Sequence, residues 1–192
     1  MNWLVAALIA LSPDAPNAVL LVAKPGMPDP NFRETVVLVT QAPDGSTVGV
    51  ILNRPTERKH EASGETVYAG GPVMREVLVA LFRAEREPQA AFPVLPGVYL
   101  SMHPENIKGP ARERRLFAGF AGWAPGQLQD ELARGAWYVL PANMNLIFRN
   151  DTQGLWRELV DKARGRVAMQ RRETPRLLGA VANRVAPGIL VP

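Results

Sequence analysis

With 192 residues, 47% of them hydrophobic and 21% charged, the chain can bury roughly 70% of its unfolded surface in one core, which excludes a disordered polypeptide. It has no cysteine, so disulfides, thiol catalysis and thiolate metal sites are excluded, and its two histidines, His60 and His103, stand in no metal-ligand spacing. The formal charge of +4 raises the question of an anionic partner. However, the arginines gather late, at Arg112, Arg114 and Arg115 and then at Arg164, Arg166, Arg171, Arg172 and Arg176, without a helix-turn-helix, zinc-finger or RNA-binding aromatic signature. A solvated face and a basic tail are the simpler reading, and direct nucleic-acid binding is not expected.

In chain order, Trp3 to Leu11 is a nine-residue apolar run followed by the small, polar breaker Ser12 to Ala18. Residues 1–18 read either as a secretory signal or as an N-terminal extension packed on the domain. The basic n-region of a signal is missing, and Pro16 would hold the minus-three place if cleavage followed Ala18. The cytoplasm is therefore the expected location and export to the periplasm the alternative. Nine apolar residues cannot span a bilayer as a helix, and no other segment is long enough.

Val19 to Ala23 is a continuous apolar strand ended by Lys24-Pro25-Gly26. Thr35 to Thr40 and Val48 to Leu52 flank Ala42-Pro43-Asp44-Gly45 and predict a β-hairpin. A polar stretch, Thr56 to Gly64, separates this hairpin from the strand Thr66-Val67-Tyr68 and the corner Gly70-Gly71-Pro72. Val73, Met74, Val77, Leu78 and Leu81 fit a helix opened by Pro72, whereas Val77 to Phe82 also fits a buried strand. Further strands are expected at Gly97 to Ser101, Leu116 to Phe120 and Ala136 to Leu140. Helices are expected from Pro125 to Arg134, stopped by Gly135, and from Thr152 to Arg164, capped by Asp151 or Thr152. The domain thus runs over 19–165, and residues 166–192 form a basic, loosely held tail.

Four turn-punctuated patches interrupt these strands: Lys24 to Phe32, Gly49 to Pro55, Tyr68 to Val73 and Gly119 to Leu128. Taken in order over most of the chain, with Glu131-Leu132-Ala133 and Gly135-Ala136-Trp137 after the last, they resemble the AlgH/YqgE family of bacterial proteins. The resemblance implies an α+β fold in one domain, with a bifurcated, largely antiparallel sheet folded as a pseudo-barrel and flanked by helices. It favours the strand reading of Val77 to Phe82. It also implies a link to transcriptional regulation, with no reaction or cofactor attached. Two departures stand out: Gln41 to Asp44 replaces a histidine common in the hairpin loop of relatives, and the segment from Pro55 to Val67 is short.

The residue chemistry at the patches is open to two readings each. Arg54, oriented by Asn53, could bind a carboxylate or phosphate, or could pair with Asp29 or Glu131 while Asn53 bonds the turn. Gly70 and Gly71 could form a small anion nest or a left-handed turn. Trp123, Gln127 and Glu131 could line a cleft, or the indole could cover the helix start while the other two tie down loops. No serine sits in a nucleophile elbow, no metal site is expected, and no cofactor is called for. The expectation is a non-enzymatic binding or regulatory module acting through an unknown small ligand or protein partner. The alternative is an enzyme acting on a small anionic substrate through Arg54 with Asp29 or Glu131.

Overall fold

The structure, a computed structural model, describes residues 18–42, 44–109 and 113–167. The expectations for the leader and for the end of the basic tail lie outside the described residues. The strands are β1 (Val19–Ala23), β2 (Val36–Gln41), β3 (Thr47–Ile51), β4 (Pro55–Lys59), β5 (Thr66–Ala69), β6 (Val73–Arg83), β7 (Phe92–Leu95), β8 (Val98–Ser101), β9 (Arg114–Trp123) and β10 (Trp137–Pro141). Helices are α1 (Pro104–Lys108), α2 (Gln127–Ala133) and α3 (Met144–Ile147), with α4 covering 155–167.

All ten strands belong to one sheet, ordered β10-β1-β2-β3-β9-β6-β8-β7, with β5 joined to β9 and β4 to β5 off that path. Pairing among the described residues is antiparallel except for β5 on β9, which is parallel. The fork lies in β9. Along one edge its first half takes β5 (Val67 opposite Leu116 to Ala69 opposite Ala118) and its second half takes β3 (Gly49 opposite Ala121 to Thr47 opposite Trp123). The other edge takes β6. A strand that serves two partners in succession along one edge must be long, and β9 has ten residues. The sheet is therefore bifurcated and α+β, as expected. It curls without closing into a barrel: β10 and β7 stay at opposite ends of the strand order, and the curl brings Ala18 N within 3.2 Å of Val94 O.

Continuous apolar strands arise because the central sheet is covered on both faces. In β1, Leu20 and Val22 face a core completed by Leu155, Leu159, Val160 and Ala163 of α4. Val19, Leu21 and Ala23 face a second core that holds Trp123, Trp137 and Leu128 of α2. A third cluster places Ile107 of α1 on Val67, Ala80, Phe82 and Leu116.

Several local expectations are corrected. Of the two readings of the segment after Pro72, the helix from Val73 to Leu81 fails and the strand at Val77 to Phe82 holds, because Val73–Arg83 is all strand β6. A register shift between Val73 and Leu78 breaks the two-residue alternation, and the resulting apolar spacing imitates a helix. Met74 sits in that irregular segment at φ 48. The polar stretch after Arg54 begins as strand β4, whose mostly exposed charged side chains and leading Pro55 suit a sheet edge. Pro125 lies outside α2, which starts after Gly126 at φ 85. A left-handed residue cannot continue into a helix from Pro125, so the start is displaced by two residues. Likewise α4 starts at 155 rather than 152, after a turn in which Asp151 Oδ1 accepts from Gln153 N at 2.9 Å. Strand β7 and the helices α1 and α3 have no counterpart in the sequence expectations.

Candidate functional site

Three of the four turn patches meet around the loop 29–34, and the fourth, Tyr68 to Val73, joins them through Gly70, whose carbonyl accepts from Ile51 N at 2.9 Å. The loop's own conformation comes first from Asp29, whose Oδ1 accepts from Asn31 N at 2.8 Å and whose carbonyl accepts from Phe32 N and Arg33 N at 3.1 and 3.0 Å. This is the local turn that a short acid favours. The corner between β3 and β4 then reaches over it. Asn53 Nδ2 donates to Glu34 O at 2.9 Å, and Asn53 Oδ1 accepts from Val36 N at 2.8 Å. Arg54 donates from Nη1 to Asn31 O at 2.6 Å and from Nη2 to Arg33 O at 3.0 Å and Pro30 O at 3.4 Å. The planar fork of arginine, with five donors, suits such a cluster of carbonyls. Burial pushes the Arg54 guanidinium below the ordinary arginine range, and the Asp29 carboxylate offsets part of that effect. Arg54 makes no ion pair with Asp29 or Glu131 among the described residues. From β6, Arg75 Nη2 donates to Asn31 Oδ1 at 3.1 Å.

Gly70 and Gly71 serve a different need from either sequence reading. Neither takes a positive φ, so no left-handed turn forms there. Gly70 N donates to Ala118 O and Gly70 O accepts from Ile51 N, both at 2.9 Å. With its amide spent in this way, Gly70 has no donor left for an anion nest. A Cβ at Gly70 would overlap the carbonyl oxygen of Gly119, and one at Gly71 the carbonyl of Phe120. The pair is glycine because β9 passes too close for any side chain.

Phe32 carries the loop into the second core. Its ring stacks on Trp123 with centroids 5.5 Å apart and meets Trp137 edge-on at 5.5 Å. Both indoles are buried, and buried indole N–H groups need acceptors. Glu131 Oε2 accepts from Trp123 Nε1 at 3.1 Å and from Trp137 Nε1 at 2.8 Å. Gln127 accepts from Ala124 N at 3.1 Å through Oε1 and donates to Glu131 Oε1 at 3.4 Å. Trp123, Gln127 and Glu131 are thus brought together by indole satisfaction and loop tying, with Trp137 as a fourth member that sequence reasoning left out.

Two further polar centres were missed. Arg115, grouped in sequence with a solvated cluster, is only 6% exposed. It donates to Ile147 O at 2.9 Å and Leu52 O at 2.8 Å, with its guanidinium carbon 4.1 Å from the Tyr68 ring centroid. Its position two residues before Phe117 in a strand was the available signal, since both then share a face. Burial pushes this guanidinium down, and Tyr68 acts in the opposite sense. In the β4–β5 turn, His60 Nδ1 lies 2.9 Å from Ser63 Oγ, Ser63 donates to Glu65, and Glu65 receives Arg114 through both carboxylate oxygens. In a hydrolase triad the acid orients the imidazole. Here it holds the serine hydroxyl and an arginine, which makes the group a turn brace.

An open depression of about 650 Å³ lies beside this region, lined by Glu34, Asn53 and the start of α4 from Thr152 to Asp161. Of the eight residues singled out from sequence, Asp29, Asn53, Arg54, Gly70, Gly71, Trp123, Gln127 and Glu131, only Asn53 lines it. Among the described residues no group of three or more His, Asp or Glu side chains is arranged to hold a metal ion, and no helix is long and apolar enough to cross a membrane.

Fold and corner together define a class of protein: an open, forked α+β sheet whose turn patches brace one another around one phenylalanine. A profile described as AlgH-like matches residues 20–168. The chain belongs to the AlgH-like family. It is 36% identical over 177 residues to a UPF0301 protein of Thermobifida fusca, covering 78% of this chain and 87% of that one. It is also 36% identical over 169 residues to one of Streptomyces coelicolor, covering 78% and 88%. Among solved structures it is similar to a Corynebacterium diphtheriae protein, with TM-score 0.62, 27% identity and coverage of 77% and 86%. The AlgH protein of Pseudomonas aeruginosa is similar as well, with TM-score 0.60, 25% identity and coverage of 72% and 83%.

Proposed function

We propose that this protein is a non-enzymatic binding or regulatory module that acts through a small ligand or a protein partner, any effect on transcription being indirect. One observation supports this most directly. Asn53, Arg54, Gln127 and Glu131, polar side chains around the loop 29–34 and the two indoles packed on Phe32, all hold the protein's own loops and indoles. A general acid or base must reach a substrate proton, and a group already committed to several internal bonds is poorly placed to do so.

The test is a screen of the full chain against small carboxylates and phosphate esters, with product followed by NMR and binding by thermal shift. Saturable stabilisation without product is the expected result. Turnover that scales with protein and disappears in both Asp29→Asn and Glu131→Gln overturns the reading in favour of an enzyme. The cytoplasm is the proposed location, with export to the periplasm as the alternative. Mass spectrometry of the native protein checks it: a first residue near Val19 means export.

A further inference from the structure

Most polar side chains of the central corner are committed, but around the depression at the start of α4 those of Glu34, Thr152, Arg157 and Asp161 are not. Thr152 is 7% exposed, and its carbonyl accepts from Leu155 N at 3.2 Å. Its hydroxyl makes no hydrogen bond among the described residues. Every side-chain nitrogen or oxygen that is fully buried among them has a partner, so the unbonded hydroxyl must keep an accessible face. Thr152 lines the depression.

The backbone points the same way. Gln153 N is taken by Asp151, Leu155 N by Thr152 O and Glu158 N by Gly154 O. The amides of Trp156 and Arg157 are left without an acceptor among the described residues, at the positive end of a helix that runs over 155–167. Arg157 lines the same space and makes no ion pair among the described residues. This end of the depression suits a carboxylate or phosphate oxygen.

The remaining walls carry the opposite charge. Glu34 and Asp161 line the depression and are likewise unpaired among the described residues, whereas Glu158 is held by Arg149 at 2.6 Å. Glu34 is presented at φ 56, a conformation that costs energy for a residue with a side chain, and Asn53 clamps its carbonyl. A simple anion here would face two free carboxylates. A simple cation would face Arg157 and the helix start. A ligand carrying both charges satisfies both ends, with the half-buried Trp156 ring beside it, fixed by its Nε1 donating to Ala23 O at 2.7 Å.

We propose that this depression is a binding site for a small zwitterion of the amino-acid type. The carboxylate lies against the Trp156 and Arg157 amides, the Thr152 hydroxyl and the Arg157 side chain, and the ammonium lies between Glu34 and Asp161. A volume of about 650 Å³ accommodates a free amino acid or a dipeptide. The assignment rests on the reading of the protein as a binding module and supplies that module with a ligand class.

The test is a proton–nitrogen NMR titration of the full chain with each proteinogenic amino acid in turn, using sodium acetate and ethylammonium chloride as single-charge controls. At least one amino acid is expected to shift the Trp156 and Arg157 amides saturably below about 10 mM, with no such response to either control. Arg157→Gln and Asp161→Asn, both at exposed positions, are each expected to weaken binding about tenfold. Thr152→Val should act in the same direction, and the two exposed variants keep the test decisive if its buried position prevents folding. The site is overturned if no amino acid moves these amides, if acetate alone reproduces the shifts, or if both exposed variants bind as tightly as the parent. Saturable shifts confined to another surface remove this site and leave the binding-module reading standing. New product resonances in the same tubes remove that reading itself.

Discussion

At the scale of single residues, the strongest demands come from polar groups enclosed in apolar surroundings. Arg115 has no carboxylate in ion-pair range among the described residues, and its charge is received by two carbonyls and the face of Tyr68. Replacing it with methionine keeps most of the volume but leaves the Leu52 and Ile147 oxygens without that donor. Arg115→Met is expected to lose about 2–4 kcal/mol in urea unfolding, and Arg115→Lys less, because an ammonium still donates to the carbonyls although it cannot reproduce the fork. A methionine variant within about 0.5 kcal/mol of the parent would show that the fork holds nothing. Glu131 poses the complementary case, one carboxylate oxygen serving two buried indoles. Glu131→Ala should cost about 2–3 kcal/mol and change tryptophan emission, while Glu131→Gln, which retains an oxygen acceptor, should cost about 1 kcal/mol. Equal losses in the two variants would mean that the charge, and not the acceptor, matters.

At the scale of elements, glycines separate two physical causes that sequence alone cannot tell apart. Gly71 has an ordinary φ but touches the backbone of β9, whereas Gly126 has φ 85 and open space where a Cβ would go. Backbone cannot move aside as a flexible side chain can, so Gly71→Ala is expected to lose at least about 3 kcal/mol or fail to fold. Gly126→Ala, limited to left-handed strain, should cost about 1–2 kcal/mol. Comparable thermal shifts for the two would remove crowding as the reason for Gly71. The same distinction explains what was legible. The Val19 to Ala23 strand and the Asp44-Gly45 hairpin follow from apolar continuity and turn chemistry, which are local. The first half of strand β6 does not, because its irregular segment between Val73 and Leu78 disguises the alternation, and β4 does not, because an exposed edge strand carries the polar composition of a loop. The fork in β9 depends on pairing between distant segments and leaves no local trace.

At the scale of the whole molecule, the convergence of three of the turn patches on the loop 29–34 could be named from sequence only as a set of corners, since contact between Phe32 and Trp123 or Trp137 is a consequence of the sheet's curl. The depression beside α4 was less visible still: Thr152 reads as a helix cap until the helix is seen to start three residues later. Stability against acid is also a property of the whole chain, because it reports every carboxylate whose affinity for protons changes on folding. Among the described residues two such groups are visible. Burial alone pushes the Glu65 carboxyl up, but hydrogen bonds from Arg114 and Ser63 outweigh it and hold the group below its ordinary value of 4.5. Asp44 is held below 3.8 mainly by the Ser46 hydroxyl, with the Ser46 amide adding to it. A depressed folded-state value means that the unfolded chain binds the proton more readily. The stabilisation is therefore fully present above the ordinary values and fades as pH falls through the folded ones. Glu65→Gln removes the larger network, since Arg114 also holds the carbonyls of Ile107 and Gly109 at the end of α1. The parent should be the more stable protein in urea melts near pH 7, and the gap to Glu65→Gln should narrow progressively below about pH 4.5. A gap that stays constant from pH 7 to about pH 3 would mean that the Glu65 charge contributes nothing, and that the turn brace acts through shape alone.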